Sequence, residues 1–409
     1  MTGSLVVRDR VPAGAVLSSR ETAIPSAQLS SGLALVVLMI GQYLPDLRMM
    51  LDGVPLNSLL LVQTVLFALA LPLSPSARRA IFIVIGMVLP LAVTLLWSRD
   101  AAWGAATLLD LTASAATASL LLAFSLERIG VDRTFRVWLV LLAALLVAAI
   151  AYKVQNGFFD REVNFLLNGP NVFARQMGLA ALLSGFLLRG PFRWLGIVAF
   201  TLAVIWTQSK GPLLFLLLVG LGTGWLRLGA KGRILVLLGL AGVVAVLSLL
   251  LDQLRDVDFF RRFFVAAAVL EGGLGGENYG SVGSRVLLFS TAARMIAEHP
   301  LGIGLGSWMP LSGFFWAEYP HNFFLEVLLE GGLVLGTIAA VAYFAFLLSH
   351  NAMIVAMGAF LALCQQVSGG LADSRFWLAF ACIGAVTSRW QLRFGERRNF
   401  DTPRGRPHE

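Results

Sequence analysis

The stretch HNFFLEVLLEGGLVLGTIAAVAYFAFLLSH, residues 321–350, decides the fold. After His321 and Asn322 the chain runs to Leu348 with no charged residue except Glu326 and Glu330. A bilayer core is crossed by about 20 apolar residues in a helix, and an unbroken run of this length is a candidate crossing. The rest of the chain repeats the pattern. It has 409 residues, 58% of them hydrophobic and 13% charged, with a mean hydropathy of +0.81. A membrane β-barrel would show short alternating segments instead. The expected fold is an all-α integral membrane protein of about twelve spans, near 29–44, 56–73, 80–97, 101–125, 137–152, 172–188, 193–208, 211–226, 233–251, 322–348, 351–368 and 375–390. Some are short enough for two neighbours to form a broken or re-entrant pair.

The formal net charge of +8 reflects sidedness, not nucleic-acid binding. With residues 1–28 in the cytoplasm, 19 of the 31 Lys and Arg fall inside and 12 outside, as the positive-inside rule requires. The expected organisation is a cytoplasmic tail (1–28), spans one to nine (29–251), a large external loop (252–321), spans ten to twelve (322–390) and a basic cytoplasmic tail (391–409). Cys364 and Cys382 lie inside apolar runs and read as packed thiols. Within the loop, SRVLLFSTAARMIAEH suggests an interfacial helix over 284–298, with Ser284 as N-cap and Pro300 as its stop. PLGIGLGSW follows as a glycine-rich turn. It lacks the Gly-Lys-Ser/Thr of a nucleotide loop, and no His, Cys or Asp cluster has metal spacing.

Four stretches carry a resemblance. The arginine-opened helix with its P-x-G-x-G turn, the H-N entry with spaced glutamates and a Gly pair, and NGPNVFARQMGLAALL (168–183) with TQSKGPLLFLLL (207–218) resemble, in order and spacing, the O-antigen ligase and O-antigen polymerase superfamily. The similarity covers roughly residues 165–350. It implies a bacterial inner-membrane glycosyltransferase whose donor is a glycan on undecaprenyl diphosphate and whose acceptor is a glycan or lipid-linked hydroxyl. It implies an active site facing the periplasm and no cofactor. The bilayer is a partner, and a chain-length regulator is a further one. GPNVFAR looks polymerase-like; a ligase to lipid A core and a protein O-glycan transferase are the alternatives within the class.

The candidate residues follow. His321, one of two histidines expected outside, is the candidate general base, since a neutral imidazole can accept a proton from a sugar hydroxyl, and the resemblance implies a role in activating or positioning the acceptor. A histidine at a helix start more often only bonds backbone or water, but Pro320 stiffens its approach and Asn322 caps the helix. Arg285 matches the family's loop arginine and would clamp diphosphate bidentately, with the helix N-terminus adding a favourable dipole. An arginine on an interfacial helix also serves as a headgroup anchor. Lys210, where the family usually has arginine, keeps the charge and loses the fork; snorkelling explains it equally well. Arg175, just inside span six, ranks above Arg161 as a second diphosphate ligand. Asn322 and Glu326 support the site, and Glu330 lies on the same helix as Glu326. A transporter is the reading from another class. It rests on twelve spans and on Asp110, which reads as a buried charge sharing a face with Thr107, Ser114 and Thr117. A polar seam paired with Arg99 or a neighbouring helix is the favoured account of that face.

Overall fold

A computed structural model describes residues 74–160, 165–166, 169–227, 229–231, 233–234 and 280–388. The expected N-terminal tail, spans one and two, Arg161, all but the first two residues of span nine, loop residues 252–279 and the tail 391–409 lie outside the described residues. Within them the fold is helical: α1 Pro75–Val93, extended by a 3₁₀ turn to Trp97; α2 Ala101–Ile129; α3 Val131–Asn156; α4 Pro170–Leu187; α5 Gly190–Trp206; α6 Lys210–Arg227; α7 Gly280–Glu298; α8 Trp308–Ser312; α9 Phe323–Gly331; α10 Thr337–Ala342, extended by a 3₁₀ turn to Leu348; α11 Ala352–Ser368; and α12 Arg375–Val386. Pro75–Trp97, Ala101–Ile129 and Val131–Asn156 are helices long and apolar enough to cross a membrane, and the stretch Phe323–Leu348 is so by length and composition. The chain is a helical membrane protein.

Local chemistry sets the helix ends. Ser74 caps α1 by accepting from Ala77 N at 3.0 Å, with Pro75 as the first helical residue. Asp100 caps α2 through Trp103 N at 2.9 Å, and Asn351 caps α11 through Met353 N at 2.9 Å. Glu127, at the end of α2, accepts from Ser74 Oγ and from Ser76 N, so α1 and α2 close as a hairpin. Small residues let neighbouring helices approach. A Cβ on Gly178 of α4 would lie 2.3 Å from Cζ of Phe360 in α11. Cys364 and Cys382 are free thiols, both buried, as the sequence suggested.

The decisive stretch folds back on itself. Residues 323 and 343 of a straight helix would stand about 30 Å apart. Here the Phe323 and Tyr343 rings are 4.5 Å apart, and Phe324 stacks on Phe344 at 5.8 Å. The cause is the glycine set. Gly332 has φ +72°, and a π-helical turn spans Gly332–Gly336. A Cβ on Gly336 would meet Val327 O at 2.4 Å, so the two limbs cross at their backbones. The expected tenth span is therefore a helical hairpin, with α9 running out to the Gly331–Gly336 apex and α10 returning. An apolar run without proline reads as one helix by hydropathy alone; only contacts across some twenty residues show the turn.

The glycine-rich turn straps this apex. Ile303 N donates to Leu329 O at 2.9 Å, Gly304 N to Glu330 O at 3.0 Å, and Leu333 N to Pro300 O at 2.9 Å. The first two satisfy carbonyls that the helix break exposes, and the third satisfies the Leu333 N–H just past it. On its other side the strap meets the α1–α2 connection, where Trp97 Nε1 donates to Gly302 O at 3.2 Å and Ser98 Oγ to Leu305 O at 2.6 Å. Gly302 (φ +86°) and Gly332 press together, and a Cβ on Gly302 would lie 2.4 Å from Gly332 N. Gly302→Ala is expected to destabilise the protein by roughly 2–4 kcal/mol, from the left-handed backbone plus the forced separation. Gly313→Ala is its control: φ is +74° but nothing lies within 4 Å of the new methyl. Its cost is the conformational term, about 1 kcal/mol. Thermal unfolding in detergent reads the difference, and equal losses would show that the crossing is not tight.

Two further expectations change. The helix placed at 284–298 begins at Gly280, so Ser284 is not its N-cap and Arg285 lies in its second turn. Glycine lowers helix propensity by only about 1 kcal/mol, and the packed face of Leu288, Ala292 and Met295 beside Leu329 outweighs it. The stop at Pro300 holds, with His299 N closing the last turn on Met295 O. Asp110 is exposed, not buried. Ser114 Oγ donates to its Oδ1 at 3.5 Å, while Ser114 and Thr117 themselves are buried. Helical spacing correctly put these groups on one face but carried no information on what covers it.

Candidate functional site

The site forms where the chain enters the hairpin. Asn322 has extended φ/ψ and caps α9, accepting from Leu325 N at 3.0 Å. Its Nδ2 donates to Gln366 O at 2.8 Å, pinning the entry to the end of α11. Below it, Trp377 is ringed by Phe323, Tyr343, Phe344 and Phe324 at 4.7, 5.0, 5.6 and 6.2 Å. The start of α9 is thus fixed by a hydrogen bond on one side and an aromatic cluster on the other. His321, immediately before it, has φ +58°. A non-glycine residue in this region costs about 1–2 kcal/mol. Such strain clusters at functional sites, where the surroundings hold it.

Around His321 stand Tyr319, Asp373 and Arg285, and Arg175 and Glu326 reach Tyr319. The Tyr319 ring meets the imidazole edge-to-face at 4.6 Å, and Tyr319 OH donates to Asp373 Oδ2 at 3.2 Å. Asp373 is held in turn: Gln365 Nε2 donates to its carbonyl at 2.8 Å. Glu326 is buried and accepts from Leu371 N at 2.7 Å, which ties the 369–374 turn to α9. Glu330, one turn on, accepts from Gly306 N at 3.1 Å and holds the strap. Both glutamates thus carry backbone anchoring that the sequence did not indicate.

Electrostatics link the cluster. Burial, and then the Arg285 guanidinium, push the His321 imidazole below its ordinary value of 6.5, with Asp373 pulling the other way. The ring is therefore neutral at pH 7. Arg285 is half-buried; burial weakens its hold on the proton and the Tyr319 phenol opposes that. Tyr319 is pushed up by burial, then by Asp373 and Glu326, with Arg175 opposing, and stays protonated at any physiological pH. Arg175, 6% exposed in the second turn of α4, lies within electrostatic reach of Tyr319 and of Cys364.

Of the residues chosen from sequence, His321, Arg285, Arg175, Asn322 and Glu326 come together. Lys210 is the first residue of α6, and a Cβ on Gly211 beside it would lie 2.6 Å from Val367 Cγ2. This places Lys210 at the same end of the bundle, next to the end of α11 that receives Asn322. Tyr319 and Asp373 were missed. Their signal was topological: both fall in polar turns on the side assigned to His321.

The described helices thus bring a histidine and two arginines, one buried and one half-buried, to one end of the bundle. Residues 195–340 match the family described as O-antigen ligase. The match spans 146 of the 409 residues, and over that segment the chain is similar to the O-antigen ligase family. The matched segment includes Lys210, Arg285, His321, Asn322 and Glu326. Arg175 and Asp373 lie beyond it and join the site only through the fold. No curated protein matches the chain significantly.

Proposed function

We propose that the protein is a multi-pass inner-membrane glycosyltransferase, with its site on the periplasmic face. It transfers a glycan from undecaprenyl diphosphate to an acceptor hydroxyl. The observation that carries this reading is the convergence of His321, Arg285 and Arg175 on one end of a helical bundle. Nucleotide sugars are absent from the periplasm, so the donor must bring its own leaving group. A polyprenyl diphosphate does so, and its lipid stays in the bilayer. Arg285, with Arg175 or Lys210, holds the diphosphate. His321 takes the acceptor proton as the hydroxyl oxygen attacks the anomeric carbon. The bond from that carbon to the phosphate oxygen breaks, and the diphosphate leaves with the electron pair. By resemblance the displacement is a single step with inversion and needs no metal. An apolar groove of about 390 Å³ beside the hairpin apex, lined by Trp97, Leu301 and Val334, offers the carrier chain a surface at the same end.

The acceptor is a second lipid-linked repeat unit, on the polymerase-like GPNVFAR stretch. A transporter loses its main support because Asp110 is exposed rather than buried in the bundle. The test supplies purified protein with a lipid-linked glycan in EDTA, without nucleotide. New glycosidic bonds are expected, with chain growth when repeat units are the only acceptor. Transfer only to lipid A core, or only to protein, would reassign the acceptor. A strict requirement for a divalent ion would refute metal-free displacement.

A further inference from the structure

The opposite end of the bundle carries a second feature that the transfer reaction does not use. A groove of about 480 Å³ lies between the later part of α4, the early part of α5 and the later part of α6. Its α4 wall begins at Ala181, about 9 Å along the helix from Arg175 at 1.5 Å per residue. Ile197, Leu217 and Gly220 line it, together with Arg193, Trp194 and Trp225 near the helix ends. Leu217 and Trp194 are exposed, so the groove opens on the lipid-facing surface. Two tryptophans at one level of a membrane protein mark the headgroup boundary.

Charge says what belongs there. From residue 163 to residue 251 the sequence contains no Asp or Glu. Over the same stretch Arg189, Arg193, Arg227, Lys231 and Arg233 gather around the ends of α4, α5 and α6. The Arg233 guanidinium lies 5.6 Å from the Trp225 ring centroid, and its Nε donates to Trp225 O at 3.3 Å. Arg193 Nε donates to Leu188 O at 2.9 Å. Both cations are thus positioned beside the groove by neutral backbone carbonyls, and this part of the sequence supplies no carboxylate to neutralise them.

We propose that this groove is a binding site for an anionic glycerophospholipid, one acyl chain lying against Ile197, Leu217 and Gly220 and the phosphate meeting Arg193 and Arg233. The volume is in the usual range of small-ligand sites, ~300–1,000 Å³. Apolar walls call for a chain, the tryptophans place its headgroup, and the cations select a negative one. A zwitterionic lipid fills the walls without answering the charge; free phosphate answers the charge without filling the walls.

The test follows thermal unfolding of the full-length protein in detergent with added phosphatidylglycerol, phosphatidylcholine or inorganic phosphate. Phosphatidylglycerol is expected to raise the midpoint beyond phosphatidylcholine, and phosphate to leave it unchanged. A surface cation contributes about five-fold in affinity for an anionic lipid, so the Arg193→Ala/Arg233→Ala pair should weaken the phosphatidylglycerol response roughly thirty-fold. Gly220→Leu keeps both charges and, with nothing within 4 Å of its new Cβ, fills the groove without a clash. It should abolish the response to phosphatidylglycerol while the protein stays folded. Equal stabilisation by phosphatidylcholine, stabilisation by phosphate alone, or an undiminished phosphatidylglycerol response in both variants overturns the proposal. Neither variant touches the His321 end, so the result stands apart from the transfer reading.

Discussion

His321→Ala is expected to lower glycan transfer by ~10²–10⁴-fold, the usual contribution of a general base, while the protein stays in the membrane and still binds donor. Burial and Arg285 hold the imidazole below 6.5, so the wild-type ring is neutral and ready to accept a proton at pH 7. The rate depends on that neutral form. It is full above the folded value and falls as pH drops through it, giving an acid limb below 6.5. Stability has the same sign: the folded state binds the proton less well than the unfolded chain, so the contribution is complete above 6.5 and is lost as pH falls through the folded value. Asp373 opposes the depression. Asp373→Asn therefore moves the acid limb further to the acid side, a shift that a merely structural aspartate would not produce. Two variants separate chemistry from backbone. Asparagine tolerates left-handed φ, so His321→Asn keeps the turn at φ +58° and loses the base. His321→Gln retains a hydrogen-bonding group without useful basicity. Near wild-type transfer by His321→Gln would make the residue a positioning group, and near wild-type transfer by His321→Ala would remove it from the reaction.

The parts of this site that the sequence disclosed were those carried by local chemistry. Pro320-His321-Asn322 before an apolar run announces a capped helix start, and the structure shows that cap bonding Leu325 N. Arg285 and Arg175 stand out as rare charges within apolar neighbourhoods. What stayed hidden depends on contacts between distant segments. Tyr319 and Asp373 are 54 residues apart, and each is unremarkable until the fold joins them. The hairpin has the same origin. Gly331, Gly332 and Gly336 sit in an apolar run that hydropathy counts as a single crossing, and nothing local says that Gly302 will press on Gly332. Ser284 failed as a cap for the converse reason: its local signal was sound, but packing of the helix face drew four more residues into α7.

Arg285→Ala should reduce turnover by ~10²–10³-fold, the scale for removing one group that stabilises charge developing in a transition state. The start of α7 at Gly280 sharpens this expectation. A helix dipole acts within the first turn, and Arg285 lies beyond it, so the backbone supplies little of the positive field at this position. The guanidinium must supply it. Arg285→Lys then tests shape against charge. Lysine keeps the cation but cannot grip two phosphate oxygens at once, and a poor rescue is expected. Lys210→Arg, which adds a fork at the same end of the bundle, should be tolerated. The kinetic signature separates a clamp from an anchor. Diphosphate gains charge as the glycosidic bond breaks, so an interaction that strengthens on the way to the transition state is lost from kcat, while one that only holds the donor is lost from KM. A fall mainly in kcat places Arg285 at the leaving group. A rise in KM alone makes it a docking residue for the lipid-linked donor, and unchanged kinetics at normal expression would exclude it from the site.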